Sequence, residues 1–228
     1  MTHKFKESIR RTQAYWYVDG LVELGTGLVF ILLGIILIIE SITPADSNFS
    51  SILSFLRNAI LIGGTIGIGL LTKVLKARLT YPRTGYIAYP RPKGKNIGIY
   101  LGFGFIIAAL ISGGFLFVIS FVPAVQTMII YLPTWIMVWL GILIASVYLS
   151  WAVRTGLRRF IWLAGIGLLT GLMLAWQARG LTFIDGKSSL LAGPGFFFLI
   201  MGSCLLISGG LTLRNYLKSN QPINGETA

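Results

Sequence analysis

Runs of about 20 consecutive apolar residues recur along this chain, and they constrain its fold more than any other feature. A helix needs roughly 20 such residues to cross the hydrocarbon core of a bilayer. Because the backbone must satisfy its own hydrogen bonds in lipid, repeated runs of this kind indicate membrane-spanning helices. We therefore predict an all-α, polytopic membrane helical bundle. Its six transmembrane helices are expected at residues 19–40, 52–72, 97–122, 132–152, 160–176 and 190–213.

The composition supports a membrane protein rather than a soluble domain. Apolar residues make up 55% of the 228 residues and charged residues 11%, with a mean hydropathy of +0.79. Soluble domains carry about 25% charged residues. The segments outside the predicted spans are short and polar. We expect a basic and aromatic interfacial segment at residues 1–18, a cytoplasmic loop at 73–96 and a polar tail at 214–228.

The positive charges are distributed unevenly between the two ends of the predicted spans. With six spans both termini lie on one side, and that side carries sixteen of the nineteen Lys and Arg residues. Cytoplasmic loops are enriched in Lys and Arg, so we predict cytoplasmic N- and C-termini and a multi-pass protein of a prokaryotic cytoplasmic (inner) membrane. The net charge of +12 lies between apolar runs rather than on a charged domain. Nucleic acid is therefore not an expected partner.

The residue types needed for most site chemistry are scarce. Cys204 is the only cysteine and His3 the only histidine, so neither a disulfide framework nor a Cys/His metal cluster is expected. We predict no catalytic residue, no metal and no cofactor, and we expect a protein that is not an enzyme. A lipid-modifying membrane enzyme is the least supported alternative, because it would need an Asp/Glu, Lys or Tyr mechanism near the headgroups.

Asp19 and Glu23 form the first candidate functional site. They are four residues apart at the start of the first predicted span and therefore share one helix face. An ionisable group at that depth is costly and needs a partner. The pair is either a proton or cation site or a structural ion-pair arrangement that holds the first span, and we favour the structural interpretation. The basic residues expected on the same side are Lys73, Arg78, Arg154, Arg158 and Arg159.

Glu40 and Arg57 form a candidate structural ion pair at the opposite end. They lie at the outer ends of the first and second predicted spans, on either side of a short polar connection. A salt bridge between them would remove the cost of burying Arg57 alone. Otherwise the long Arg57 side chain can reach outward to the interface.

Glycines in the predicted spans form pairs of small residues spaced by four. Such pairs allow close approach of helix backbones in lipid. We interpret them as packing contacts within one bundle, and they could equally serve a homo-oligomer interface. The pairs are Gly63/Gly67, Gly98/Gly102, Gly104/Ala108 and Gly167/Gly171.

The loop between the second and third predicted spans holds the most unusual sequence. Residues 73–95 carry seven Lys or Arg and no acid, and the triplet Tyr-Pro-Arg occurs there twice, at 81–83 and 89–91. The loop is either an interface anchor on the lipid bilayer that contacts anionic headgroups, or a docking surface for a cytosolic protein partner. Its candidate functional residues are Tyr81, Pro82, Arg83, Gly85, Tyr86 and Arg91.

Two stretches together resemble a known group of proteins. Asp19-Gly-Leu-Val-Glu23-Leu opens the first span, and Leu79-Thr-Tyr-Pro-Arg-Thr-Gly-Tyr-Ile87 follows the second. The combination resembles a group of prokaryotic multi-span membrane proteins without an assigned activity. The match covers the first third of the chain. It implies no substrate or cofactor, and it implies that the residues of the two motifs are family features.

Two functional classes follow from these patterns. The first is a non-catalytic accessory or scaffold protein that uses the basic Tyr-Pro-Arg loop, and this is the function we predict. The alternative is a small transporter or channel with Asp19 and Glu23 as its ion or proton site. The two classes predict different effects of neutralising Glu23. A scaffold protein should lose stability, whereas a transporter should lose its ion or proton flux.

Overall fold

A computed structural model describes residues 16–44, 46–80, 132–180 and 186–220, and every regular element in these ranges is helical. The predicted all-α class is confirmed for this part of the chain. We number the helices in chain order. They are α1 (Leu21–Ile42), α2 (Asn48–Leu75, continued by a π-helical segment Lys76–Thr80), α3 (Leu132–Thr155), α4 (Arg159–Gly180) and α5 (Gly186–Ser219).

Four of these helices are long and apolar enough to cross a membrane, namely α1, α3, α4 and α5. Helix α2 passes the same test as a bent pair, with 46° between Asn48–Gly64 and Ile66–Thr80. The bend lies beside the adjacent glycines Gly63 and Gly64, a common cause of helix kinks. The remaining predicted span, residues 97–122, lies outside the described residues.

Helix α2 is longer than the apolar run that predicted it. At its start, Ser47 accepts a hydrogen bond from the Ser50 backbone N–H (3.1 Å), a side-chain N-cap that moves the first turn ahead of residue 52. At its other end the helix passes residue 73 and continues to Thr80. Residues 73–80 of the predicted loop are therefore helical, because polarity alone does not end a helix. The first residue that disfavours helix here is Tyr81, which precedes Pro82.

Helices α1 and α5 run antiparallel, with their backbones in close contact at three glycine pairs. A Cβ atom built on Gly202 would lie 2.8 Å from the Gly27 carbonyl oxygen, which is too close for any side chain at this position. The same obstruction exists at each pair, and the glycines recur every seven residues along α5 and along α1 with the residue that precedes it. The three pairs are Gly20/Gly209, Gly27/Gly202 and Gly34/Gly195.

A second close contact joins α3 to α4 and lies beside the apolar core. A Cβ on Gly171 would meet Gly141 Cα at 2.7 Å. The predicted packing role of Gly167 and Gly171 thus fits their positions, while a Cβ on Gly63 or Gly67 would have no described atom within 4 Å. The core between α3, α4 and α5 includes Met137, Phe160, Phe197, Met201 and Leu205.

The outer surface of the bundle is apolar, and its tryptophans lie near the two ends. Trp162 and Trp176, at opposite ends of α4, are 75% and 76% exposed. They are separated by 14 residues, or about 21 Å along a helix. Trp135 and Trp139 lie at the end shared with Trp176, whereas Trp16 and Trp151 lie at the end shared with Trp162. Tryptophan is enriched at both membrane–water interfaces, so this distribution fits a helix bundle in lipid.

Candidate functional site

The candidate site lies where the N-termini of α1 and α4 meet the C-terminal ends of α2 and α5. Asp19 precedes α1 and Glu23 lies in its first turn. Because α1 and α5 are antiparallel, the start of α1 contacts the last turns of α5. Both acids are buried, at 1% and 2% exposure. We call the four charged residues that meet here, Asp19, Glu23, Lys76 and Arg159, the charged cluster.

Asp19 is paired with Lys76 from the π-helical segment. One carboxylate oxygen, Oδ2, lies 2.8 Å from Lys76 Nζ, and both side chains are 1% exposed. The Thr80 hydroxyl donates to the same oxygen at 3.1 Å. The other oxygen, Oδ1, accepts the Leu21 backbone N–H at 3.3 Å and so satisfies one free donor at the start of α1. Asp19 therefore joins the start of α1 to the end of α2.

Glu23 is paired with Arg159 at the start of α4. Arg159 Nε lies 2.8 Å from Glu23 Oε1, an ion-pair distance without the alignment of a hydrogen bond. The Ser208 hydroxyl of α5 donates to the other oxygen, Oε2, at 2.7 Å. Arg159 also donates from Nη1 to Thr212 Oγ1 at 3.0 Å. Glu23 thus connects α1 to α4 and α5.

The two cations of the cluster also hold the turn that precedes α1. Lys76 Nζ donates to the Trp16 carbonyl oxygen at 2.9 Å and lies 5.0 Å from the centroid of the Trp16 ring. Arg159 donates from Nη2 to the Tyr17 carbonyl oxygen. Positive charge over an indole face is favourable. Each cation therefore compensates one carboxylate and positions one residue of the turn.

The structure places the described start of the second motif, Leu79 and Thr80, beside the first motif. Thr80 belongs to the motif that begins at Leu79, and its hydroxyl donates a hydrogen bond to Asp19 of the first motif. Arg159 was among the expected partners, as were Lys73 and Arg78 of the loop predicted at 73–96, but Lys76 of the same segment was missed. The available signal was its spacing: Lys76 and Thr80 are four residues apart and share a face if the helix continues.

At the opposite end of α1, Glu40 and Arg57 are in contact. Arg57 Nη1 lies 2.9 Å from Oε1 and 2.8 Å from Oε2 of Glu40, and the Ser54 hydroxyl donates to Oε1 at 2.7 Å. Glu40 is 4% exposed at its side chain and Arg57 27%. The pair joins α1 to α2 and leaves the Arg57 side chain partly exposed at that end.

Two cavities lie at the same end of the bundle as the charged cluster. One, of about 230 Å³, is lined by Trp16, Tyr17, Trp151, Arg154 and Thr155. The other, of about 380 Å³, is lined mainly by polar residues near the end of α5, and Arg159 and Thr212 form part of its wall. Both cavities lie at the bundle end where the cations gather.

The other predicted site residues lie beyond the described ranges. These are Tyr81, Pro82, Arg83, Gly85, Tyr86 and Arg91. Within the described ranges no group of three or more His, Cys, Asp or Glu residues could hold a metal ion. No protein-family model, curated protein or solved structure matches the chain.

Proposed function

We propose that this protein is a multi-span membrane protein with a non-catalytic accessory or scaffold role, in which the charged cluster fixes the start of the Tyr-Pro-Arg loop. The observation that carries the proposal is the bond between Asp19 and Thr80, because Thr80 is the last residue before Tyr81. A loop that leaves the bundle from an anchored residue presents its side chains to a partner at a lower entropic cost.

The charge balance of the cluster supports a structural role over ion transport. Asp19 and Glu23 each have a cation at 2.8 Å and a hydroxyl donor. Removing one member of such a pair would leave an uncompensated buried charge, so the arrangement favours one fixed geometry of four helix ends. A transported cation would have to displace Lys76 or Arg159 from its carboxylate.

The charge distribution supports cytoplasmic termini and six spans. Asp19, Lys76 and Arg159 lie together at one bundle end, which therefore contains the start of α1, the end of α2 and the start of α4. Other basic residues belong to that end by position. They are Lys73, Arg78, Arg154, Arg158, Arg214 and Lys218. By the positive-inside rule this end faces the cytoplasm of a prokaryotic inner membrane.

Photo-crosslinking in native membranes tests the docking role of the loop. Photo-reactive residues replace Tyr81 and Tyr89, and a third replaces Asp46 near the opposite end as a control. We expect Tyr81 and Tyr89 to crosslink a discrete protein that Asp46 does not. Adducts with lipid alone would contradict docking and make the loop an interface anchor on anionic headgroups.

A transporter remains the second candidate, because Arg159 of the Glu23 pair also lines the 380 Å³ cavity. Through that cavity water could reach the ion pair from the bundle end. This candidate predicts that Glu23→Gln abolishes a proton or cation flux in proteoliposomes while insertion and thermal stability stay unchanged. The scaffold role predicts instead that Glu23→Gln lowers thermal stability and abolishes no flux.

A further inference from the structure

The 230 Å³ cavity combines an aromatic wall with one cation. Trp16 and Tyr17 come from the turn before α1, while Trp151, Arg154 and Thr155 come from the last turns of α3. The Tyr17 ring lies 5.2 Å from the Trp151 ring and packs edge-on against Phe160 at 5.6 Å. The Tyr17 and Trp151 rings thus share one aromatic wall, and Trp16 and Arg154 line the same cavity.

The positions of Trp16 and Tyr17 are set by the charged cluster. Lys76 holds the Trp16 carbonyl and lies over its ring, and Arg159 holds the Tyr17 carbonyl. The neighbouring rings are fixed in turn, since Trp151 packs edge-on against both Tyr148 and Phe160. The cavity is therefore formed before any ligand arrives, which lowers the cost of binding.

Arg154 is the cation that this arrangement leaves for a ligand. Asp19 and Glu23 are committed to Lys76 and Arg159, and no carboxylate of the described residues lies within 4.0 Å of Arg154. The Thr155 hydroxyl is already used, as it donates to the Trp151 carbonyl. Burial raises the pKa of the Tyr17 phenol, against the opposing effect of Arg154, so this phenol stays protonated at neutral pH.

We propose that this cavity binds a phosphate ester, with the Arg154 guanidinium on the phosphate oxygens and the aromatic wall against the ester substituent. Guanidinium groups match phosphate in geometry and charge. The cavity is smaller than the roughly 300–1,000 Å³ of sites for drug-sized ligands, and so suits a headgroup-sized group. The inference rests on the proposed membrane embedding, because Trp16, Trp151 and Trp162 then place the cavity at the depth of phospholipid headgroups.

Ligand titration followed by native mass spectrometry tests this site. Delipidated protein in detergent is titrated separately with dihexanoyl phosphatidylglycerol, glycerol 3-phosphate and inorganic phosphate. We expect one phosphatidylglycerol per chain, bound on the order of tenfold more weakly by Arg154→Ala. The matched control is Arg158→Ala, at an exposed arginine four residues further along the chain that does not line the cavity. It should bind as the unchanged protein does.

The three ligands identify the source of the phosphate. Binding of phosphatidylglycerol alone indicates a lipid headgroup site, while comparable binding of glycerol 3-phosphate indicates a soluble ester. Equal affinity of the unchanged protein and Arg154→Ala, or no binding of any ligand, would overturn the proposal. If Arg154→Ala does not fold, Arg154→Gln is titrated in its place, and the same outcomes decide the proposal. Because no partner protein takes part, failure here and failure of the loop crosslinking are distinct results.

Discussion

At the scale of single residues, the charged cluster is the feature with the highest energetic cost. Asp19, Glu23 and Lys76 are almost fully buried, and burying a charge is unfavourable unless a partner compensates it. Replacing such a pair by apolar residues is often neutral, whereas removing one partner is strongly destabilising. The pairs therefore define which helix ends meet, more than they add to overall stability.

The first prediction concerns Lys76. Lys76→Met leaves the Asp19 carboxylate buried without its cation, so we expect a loss of about 3–5 kcal/mol in the free energy of unfolding. Denaturant titration of the purified protein in detergent measures it. The double variant Asp19→Asn/Lys76→Met should recover most of that loss, and Lys73→Met, at an exposed position of the same helix, should have little effect. A single variant as stable as the parent would refute the structural role of the pair.

The second prediction concerns Glu23. Glu23→Gln keeps an oxygen for the Ser208 hydroxyl and removes the charge that compensates Arg159, so we expect a destabilisation of about 1–3 kcal/mol. Arg159 is partly exposed, which limits the penalty. Thermal unfolding and proteoliposome flux are measured on the same preparation. Unchanged stability together with an altered flux would favour the transporter.

At the scale of elements, the antiparallel pair of α1 and α5 is the central contact of the described bundle. Glycines repeat every seven residues along α5 and along α1 with its N-cap Gly20. Such a period of 3.5 residues per turn keeps one helix face directed toward a partner in a left-handed supercoil. Without side chains at these points the two backbones approach closely, as small residues permit in lipid. This contact also brings Ser208 and Thr212 of α5 to the charged cluster.

The third prediction compares two glycines of α5. In Gly202→Ala the new methyl group would lie 2.8 Å from the Gly27 carbonyl oxygen, so the helices must separate, at a cost of about 1–3 kcal/mol. Gly210→Ala has no described atom within 4 Å of its Cβ and should be neutral or stabilising by up to about 1 kcal/mol, from helix propensity. Thermal unfolding of both variants checks the difference, and equal midpoints would argue against the close contact.

At the scale of the whole molecule, the two ends of the bundle differ in charge. Within the described ranges, one end holds the charged cluster and most of the basic residues, and the other includes Glu40, Asp46 and Arg57. Tryptophans lie near both ends, and the roughly 21 Å between Trp162 and Trp176 covers most of the roughly 30 Å hydrocarbon core. These two features together support the proposed bilayer position and orientation.

The fourth prediction tests that orientation. In a Cys204→Ser background, single cysteines replace Asp46 and Arg158, which lie near opposite ends and are both exposed. A membrane-impermeant maleimide should label the Asp46→Cys variant in sealed right-side-out vesicles, and the Arg158→Cys variant only after lysis. Labelling of Arg158→Cys in sealed vesicles would reverse the proposed topology.

The sequence alone determined the helical class and the approximate position of each described helix. Apolar runs of spanning length leave few alternatives, because an unpaired backbone in lipid is too costly. The contact between Glu40 and Arg57 was also foreseeable, since a short connection places them on adjacent helix ends. Helix ends were less predictable: α2 continues into residues that polarity assigned to a loop.

Only the tertiary structure decided which groups meet at the charged cluster. Glu23 is 136 residues from Arg159 and 185 from Ser208 along the chain, and no local pattern encodes those contacts. They depend on which helices are neighbours and in which register, and here the glycine pairs between α1 and α5 set that register. A sequence shows that a buried carboxylate needs a cation, but the packing of backbones selects which cation can reach it.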